Sequence, residues 1–203
     1  FATQEVAQGV RYVAPAGTDT GDCARSTQPC RTIQYAVDRA GVGDKVRIAR
    51  GTYTDLSARP RDDVVSAGLV TQVVYISKTV TIRGGYTTDD WSASYPDANP
   101  TTLDAAEQGR VVYISFSSPT TPTLEGLHLT NGLTSGCGGG IYAYRAAPVI
   151  SGCHIHNNTS SSTGGGVCFS DTSGARMMRN KVYSNTAHSA RGGVRREDSA
   201  ADA

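Results

Sequence analysis

The feature that most restricts how this chain can fold is a repeat in its second half. Gly138-Gly-Gly-Ile141 returns as Gly164-Gly-Gly-Val167 and again as Gly192-Gly-Val194, in steps of 26 and 27 residues. A second set, Leu129-Thr-Asn-Gly132, Ile155-His-Asn-Asn158 and Val182-Tyr-Ser-Asn185, repeats with the same two steps. A period in the twenties, with short apolar runs and glycine at the corners, belongs to a solenoid whose coils stack in register about 4.8 Å apart. Leucine-rich repeats share the period but need a Leu-x-x-Leu-x-Leu frame, which is missing. Further upstream, Val73-Val-Tyr-Ile-Ser77 recurs letter for letter as Val111-Val-Tyr-Ile-Ser115. Each copy leads after a turn into an alternating run, Val80-Thr-Ile82 or Leu127-His-Leu129. Between the copies, Gly84 to Asn99 is rich in Gly, Asp, Ser and Pro and reads as a projecting loop that carries Trp91 partly exposed.

The first 44 residues read differently. Val10 to Ala14 is a short opening strand, and Thr32 to Ala40 places Ile33, Ala36, Val37 and Ala40 at helical spacing before Gly41. The half-buried strand Lys45-Val-Arg-Ile-Ala49 then begins the coils, which run to Val194. An uncovered first coil would expose unpaired backbone, so the helix is expected to cap it. Ile33, Val37, Val46, Ile48, Val80, Ile82, Leu127, Leu129, Ile155 and Val182 are expected to face the core. With 23 Gly beside 3 Phe and 1 Trp, the composition suits short strands and turns. Nineteen Lys and Arg against 18 Asp and Glu leave no global field to draw the chain to nucleic acid or an anionic membrane. No apolar run is long enough for a transmembrane segment, and Phe1 opens the chain as if trimmed or processed.

Cys23 and Cys30 bracket a polar loop and are spaced to close it as a disulfide, which implies an oxidising compartment and so a secreted or cell-surface protein. Two free thiols are the alternative; a zinc pair lacks its second half. Cys137, Cys153 and Cys168 leave an odd count, so one of them is free or pairs between chains.

The order of these pieces resembles a known group. Pro29 to Asp38, followed by Gly43-Asp-Lys-Val-Arg-Ile-Ala-Arg-Gly-Thr-Tyr53, resembles the N-terminal cap and first coil of pectate-lyase-like proteins. Arg83-Gly-Gly-Tyr86, Asn99-Pro-Thr-Thr-Leu-Asp104 and the Gly-Gly-Gly-Ile and Ile-x-x-Asn coils are similar to bacterial surface proteins of that superfamily, including the polymorphic outer-membrane type. The resemblance implies an all-β fold, a right-handed parallel β-helix with a short N-terminal capping helix. The Trp-Ile-Asp-His and Arg-x-Pro-x-x-Arg segments of the calcium-dependent lyases are missing, as are the Asn-Thr-Asp, Gly-His-Gly and Arg-Ile-Lys segments of the polygalacturonases. Strand faces of the repeated half carry no acidic residues, while Asp62-Asp63 and Asp89-Asp90 read as solvated turn pairs. No metal site and no cofactor are expected.

One constellation stands out. If Leu129, Ile155 and Val182 point inward, then His128, His154 and Lys181 form one outward column, and Thr130, His156 and Tyr183 the next. Such a ladder can cover a solvated sheet, contact an anionic sugar, supply a general base or hold a metal. Stacked imidazoles repel when both are charged, so at least one should resist protonation. Asn131, Asn157, Asn158 and Asn185 read as corner residues.

Three functions follow: a non-catalytic extracellular scaffold, adhesin or filament subunit; a polysaccharide lyase or hydrolase using the His/Lys face; or a carbohydrate-binding module with Trp91, Tyr86 and Tyr95 as stacking platforms. At the C-terminal side, residues 195–203 read as a charged tail or a truncated coil. The last edge then needs more chain, the tail or another molecule to cover it, and self-association through that coil would build filaments.

Overall fold

Period-two patterning over short runs, broken by glycine and asparagine, can bury its apolar positions only if each run lies on an equivalent run of the next coil. The computed structural model describes residues 8–61, 68–115, 120–172, 174–189 and 192–197. Asp62-Asp63 and the segment from Asp198 to Ala203 lie outside the described residues.

In chain order the strands are β1 (Val10–Val13), then helix α1 (Ile33–Arg39), β2 (Lys45–Ala49), β3 (Gly51–Tyr53), β4 (Ser57–Pro60), β5 (Leu69–Ile76), β6 (Thr81–Tyr86), β7 (Thr101–Asp104) and β8 (Arg110–Ser115). The tight repeats follow as β9 (Thr123–Glu125), β10 (His128–Thr130), β11 (Leu133–Thr134), β12 (Ile141–Tyr144), β13 (Val149–Ser151), β14 (His154–His156), β15 (Thr159–Ser160), β16 (Val167–Ser170), β17 (Arg176–Met178), β18 (Lys181–Tyr183), β19 (Thr186–Ala187) and β20 (Val194–Glu197). They stack into a first face β1-β2-β6-β9-β13-β17, a second face β3-β7-β10-β14-β18 and a third face β4-β5-β8-β12-β16-β20, with β11-β15-β19 as a narrow ladder between the last two. Every pairing is parallel except the hairpin of β4 and β5. This is a parallel β-helix.

Inward columns make the core. Val46, Ile82, Leu124 and Ile150 stack on the first face, Leu103, Leu129 and Ile155 on the second, and Val74, Val112, Ile141 and Val167 on the third, all 2 % exposed or less. Each buried aliphatic side chain contributes about 1.5–3 kcal/mol. Ala143 stands in register between Ile114 and Phe169, so a small residue makes room for a large one. Of the residues expected in the core, Val182 alone is only partly buried, because it packs at the last coil.

The letter-for-letter repeat also stacks directly, Val74 on Val112, Tyr75 on Tyr113 and Ile76 on Ile114. The runs read as following each copy do not correspond. Ile82 stacks on Leu124 of the first face, whereas Leu129 stacks on Leu103 of the second. From Ile114 to its first-face successor Thr123 the chain runs 9 residues where the first copy, Ile76 to Thr81, runs 5, so the count slips between the two faces, and the spacing of the copies alone could not show it.

Helix α1 packs on the first coil with Ile33, Ala36 and Val37 buried. Thr32 caps its start by accepting from Tyr35 N–H, and Lys78 Nζ donates to the carbonyls of Val37, Asp38 and Ala40 at its end. Gln34 takes the place of a neighbouring strand: its Oε1 accepts from Tyr75 N–H at 2.6 Å and its Nε2 donates to Tyr75 C=O. The exposed edge of β5 is satisfied by one side chain.

Asparagines lock the corner after the second face. Asn158 Oδ1 accepts from Gly132 N–H at 2.8 Å, and Nδ2 donates to Leu129 C=O and to Asn185 Oδ1. Asn185 repeats the pattern one coil on, with Asn158 N–H and Ile155 C=O. The residue before each of Gly132, Asn158 and Asn185 is left-handed, with φ of 55° at Asn131, 56° at Asn157 and 52° at Ser184. Gly132 itself has no room for a side chain, since a Cβ there would lie 2.0 Å from the Gly139 carbonyl oxygen. Disulfides join Cys23 to Cys30 and Cys137 to Cys168, leaving Cys153 as a buried thiol that desolvation pushes up to about 11.

Asn158→Ala should strand a buried N–H and a buried C=O, at about 1–3 kcal/mol each. Asn185→Ala, on the last coil, should cost less than half as much in denaturant unfolding; equal losses would mean the ladder is not what holds the corner.

Candidate functional site

Strand alternation sets the outward columns of the second face without further help. His128 is in register with Thr102 on one side and His154 on the other, and His154 with Lys181. The neighbouring column is Asp104, Thr130, His156 and Tyr183. Thr130 is buried, the histidines are half-buried, and Lys181 and Tyr183 are exposed, Tyr183 by 48 %.

The rings touch in pairs. His128 and His154 lie 4.4 Å apart between centroids, His128 and His156 6.3 Å, and His156 stacks on Tyr183 at 5.0 Å with 11° between planes. His156 Nδ1 is 3.3 Å from Thr130 Oγ1. Among strands, Asp104 brings an acid to this column, one coil before the tight repeats begin. Its Oδ1 is already engaged by the Asn131 amide and by Ala106 N–H. Asp97, in the loop after β6, raises the proton affinity of His128 and His154 from outside.

All three imidazoles hold their protons less tightly than a free histidine. Burial is the first cause for each; the charge of His154 acts next on His128 and His156, and that of Lys181 next on His154. Above the ordinary value of 6.5 the face therefore presents neutral imidazoles beside the ammonium of Lys181. A neutral histidine can accept a proton or a hydrogen bond. Among the described residues no group of three or more His, Cys, Asp or Glu is placed to hold a metal ion.

The aromatic loop behaves otherwise than its composition implies. Trp91 is 8 % exposed and Tyr86 4 %, packed with Ala14 and Ala49, and the Trp91 ring meets Tyr12 edge-on at 5.0 Å. Gly84, Gly85 and Tyr86 belong to β6, so the loop starts at Thr87 and folds back over the corner, with Pro96 against Gly126. Trp91 and Tyr86 are therefore not stacking platforms: an indole so large gains more from filling a corner than from solvent. Tyr95 does remain exposed, by 60 %. A different row of rings, Tyr75, Tyr113 and Tyr142 on the third face, stacks at 5.4 and 5.2 Å with Arg110 over two of them. The repeated Val-Val-Tyr-Ile-Ser run was the signal for the first two.

A family model described as a right handed beta helix region matches residues 108–199. The fold is a right-handed parallel β-helix. The matched stretch holds the histidine columns, with three strands of the first face, three of the second and four of the third, while the same parallel register continues back through β6 to β2. No curated protein and no solved structure matches the chain. No helix among the described residues is long and apolar enough to cross a membrane.

The depressed imidazoles carry a sign. Histidine pKa values lower in the folded than in the unfolded chain add stability that is complete above about pH 6.5 and is lost as pH falls through the folded values. Unfolding between about pH 7.5 and pH 5 should show falling stability, flattened in His128→Gln/His154→Gln; an unchanged slope would separate these rings from the effect.

Proposed function

We propose that this β-helix is an extracellular, cell-surface type scaffold that makes adhesive contact with carbohydrate through the His/Lys/Tyr columns of its second face. The observation that carries this reading is the paired outward rings, His128 with His154 at 4.4 Å and His156 parallel to Tyr183 at 5.0 Å, on one continuous parallel sheet. Flat rings with polar edges suit a sugar, which offers C–H groups on one side and hydroxyls around its rim. The strands of this face extend over about 20 Å at the usual spacing, room for several sugar units in a row. Two disulfides fit an oxidising, extracellular setting. The resemblance of the Gly-Gly-x-Ile coils to bacterial surface β-helices points the same way.

A polysaccharide lyase or hydrolase built on the same columns is the second reading, favoured by imidazoles that stay neutral and so available as bases. Against it, the Asp104 carboxylate is held by Asn131 and Ala106, leaving no acid poised for glycosidase chemistry in that column.

Binding to a panel of immobilised neutral and acidic glycans should drop at least about tenfold in His154→Ala/Tyr183→Ala, with the melting temperature little changed. Unsaturated or reducing-end products that vanish in His154→Ala would put the enzymatic reading first. Full binding by the double variant would remove the second face from consideration.

A further inference from the structure

We propose that a groove on the outer side of the first face binds a doubly charged oxyanion, a phosphate or sulfate group carried on a ligand of sugar size. This site lies on a different sheet from the histidine columns and does not depend on their role.

Here β2 and β6 set Arg47 directly against Arg83, and Lys45 against Thr81, with Thr123 next in that column and Glu125 next after Arg83. A hollow of about 330 Å³ opens between these side chains. Like charges directly opposite on neighbouring strands destabilise a sheet. Stacking two guanidinium groups therefore weakens this part of the fold, while a single carboxylate offsets three cations.

The arginines are nevertheless held in place. Arg47 Nη1 donates to the Trp91 carbonyl, and its guanidinium lies 5.5 Å from the ring of buried Tyr86. Arg83 Nε meets Glu125 Oε2 at 3.0 Å. Lys45 is exposed, and while its backbone N–H donates to Gly9 C=O, its Nζ has no hydrogen bond or ion pair among the described residues. Arg47 keeps Nε and Nη2, Arg83 both terminal nitrogens and Lys45 its ammonium for a ligand. Three cations against one carboxylate leave two positive charges uncompensated, and guanidinium forks match the oxygens of a tetrahedral anion. Thr81 and Thr123 add hydroxyls beside them. The Trp91 loop thus acts as a buttress: its backbone fixes the direction of Arg47 while its ring is buried out of ligand reach.

The test is calorimetric titration of the 203-residue chain at low salt with glucose 6-phosphate, inorganic phosphate, inorganic sulfate and glucuronate. Saturable binding of the first three is expected, with the singly charged glucuronate at least about tenfold weaker and all affinities falling with added salt. Tighter binding of glucose 6-phosphate than of inorganic phosphate would assign the ligand as a phosphorylated sugar; equal affinities would assign the free anion. Arg47→Gln and Arg83→Gln should each weaken binding at least about tenfold while the chain stays folded by circular dichroism, and Glu125→Gln should not weaken it. Absence of saturable binding to every dianion overturns the proposal. So does binding that survives Arg47→Gln/Arg83→Gln, or that is lost instead in His154→Gln/Lys181→Gln, which would place the anion on the second face.

Discussion

Everything in this molecule depends on the backbone hydrogen bonds that run from one coil to the next. The strands of the second face are three or four residues long and make no hairpin, so their N–H and C=O groups find partners only on equivalent strands above and below. Isolated, a coil would have neither a core nor satisfied backbone. Stacked in register, the same coil aligns its apolar residues into columns and buries both at once.

Register also dictates the surface. Whatever stands outward on one strand is brought against its counterpart about 4.8 Å away, whether that contact is favourable or not. Tyr75 and Tyr113 gain from it. His128 and His154 gain only while at least one is neutral, and Arg47 and Arg83 are held together by tethers to Trp91 and Glu125. These two places, where stacking sets ionisable groups of the same sign against each other, are the two places proposed to bind a ligand.

A stack has ends, and the N-terminal one is closed by a single short helix that supplies apolar cover through Ile33 and Val37 and hydrogen bonds through Gln34. The left-handed corners at Asn131, Asn157 and Ser184 then bend each coil at the same point, with Asn158 and Asn185 taking the backbone groups that a bend would leave unpaired. On the last described strand of the third face, Arg195 and Arg196 continue β20 in register with Cys168 and Phe169. Charge did not stop the strand, because pairing uses the backbone.

By itself the sequence determined the solenoid, the capping helix and the histidine columns, since a strict period and strand alternation place every outward residue without any long-range information. His128 over His154 and His156 beside Tyr183 followed from the 26- and 27-residue steps alone. Tertiary structure decided what periodicity could not. The connection from β8 to β9 is longer than the one from β5 to β6, so the stacking of Ile82 on Leu124 was hidden. Loop composition marked Trp91 as exposed, yet the corner formed by Ala14, Ala49 and Tyr86 buries it. Cys137 joins Cys168 across 31 residues because adjacent coils bring them together, and Arg47 meets Arg83 for the same reason. Pairs separated by irregular segments are fixed by how those segments fold back on the stack, and no local pattern encodes that path.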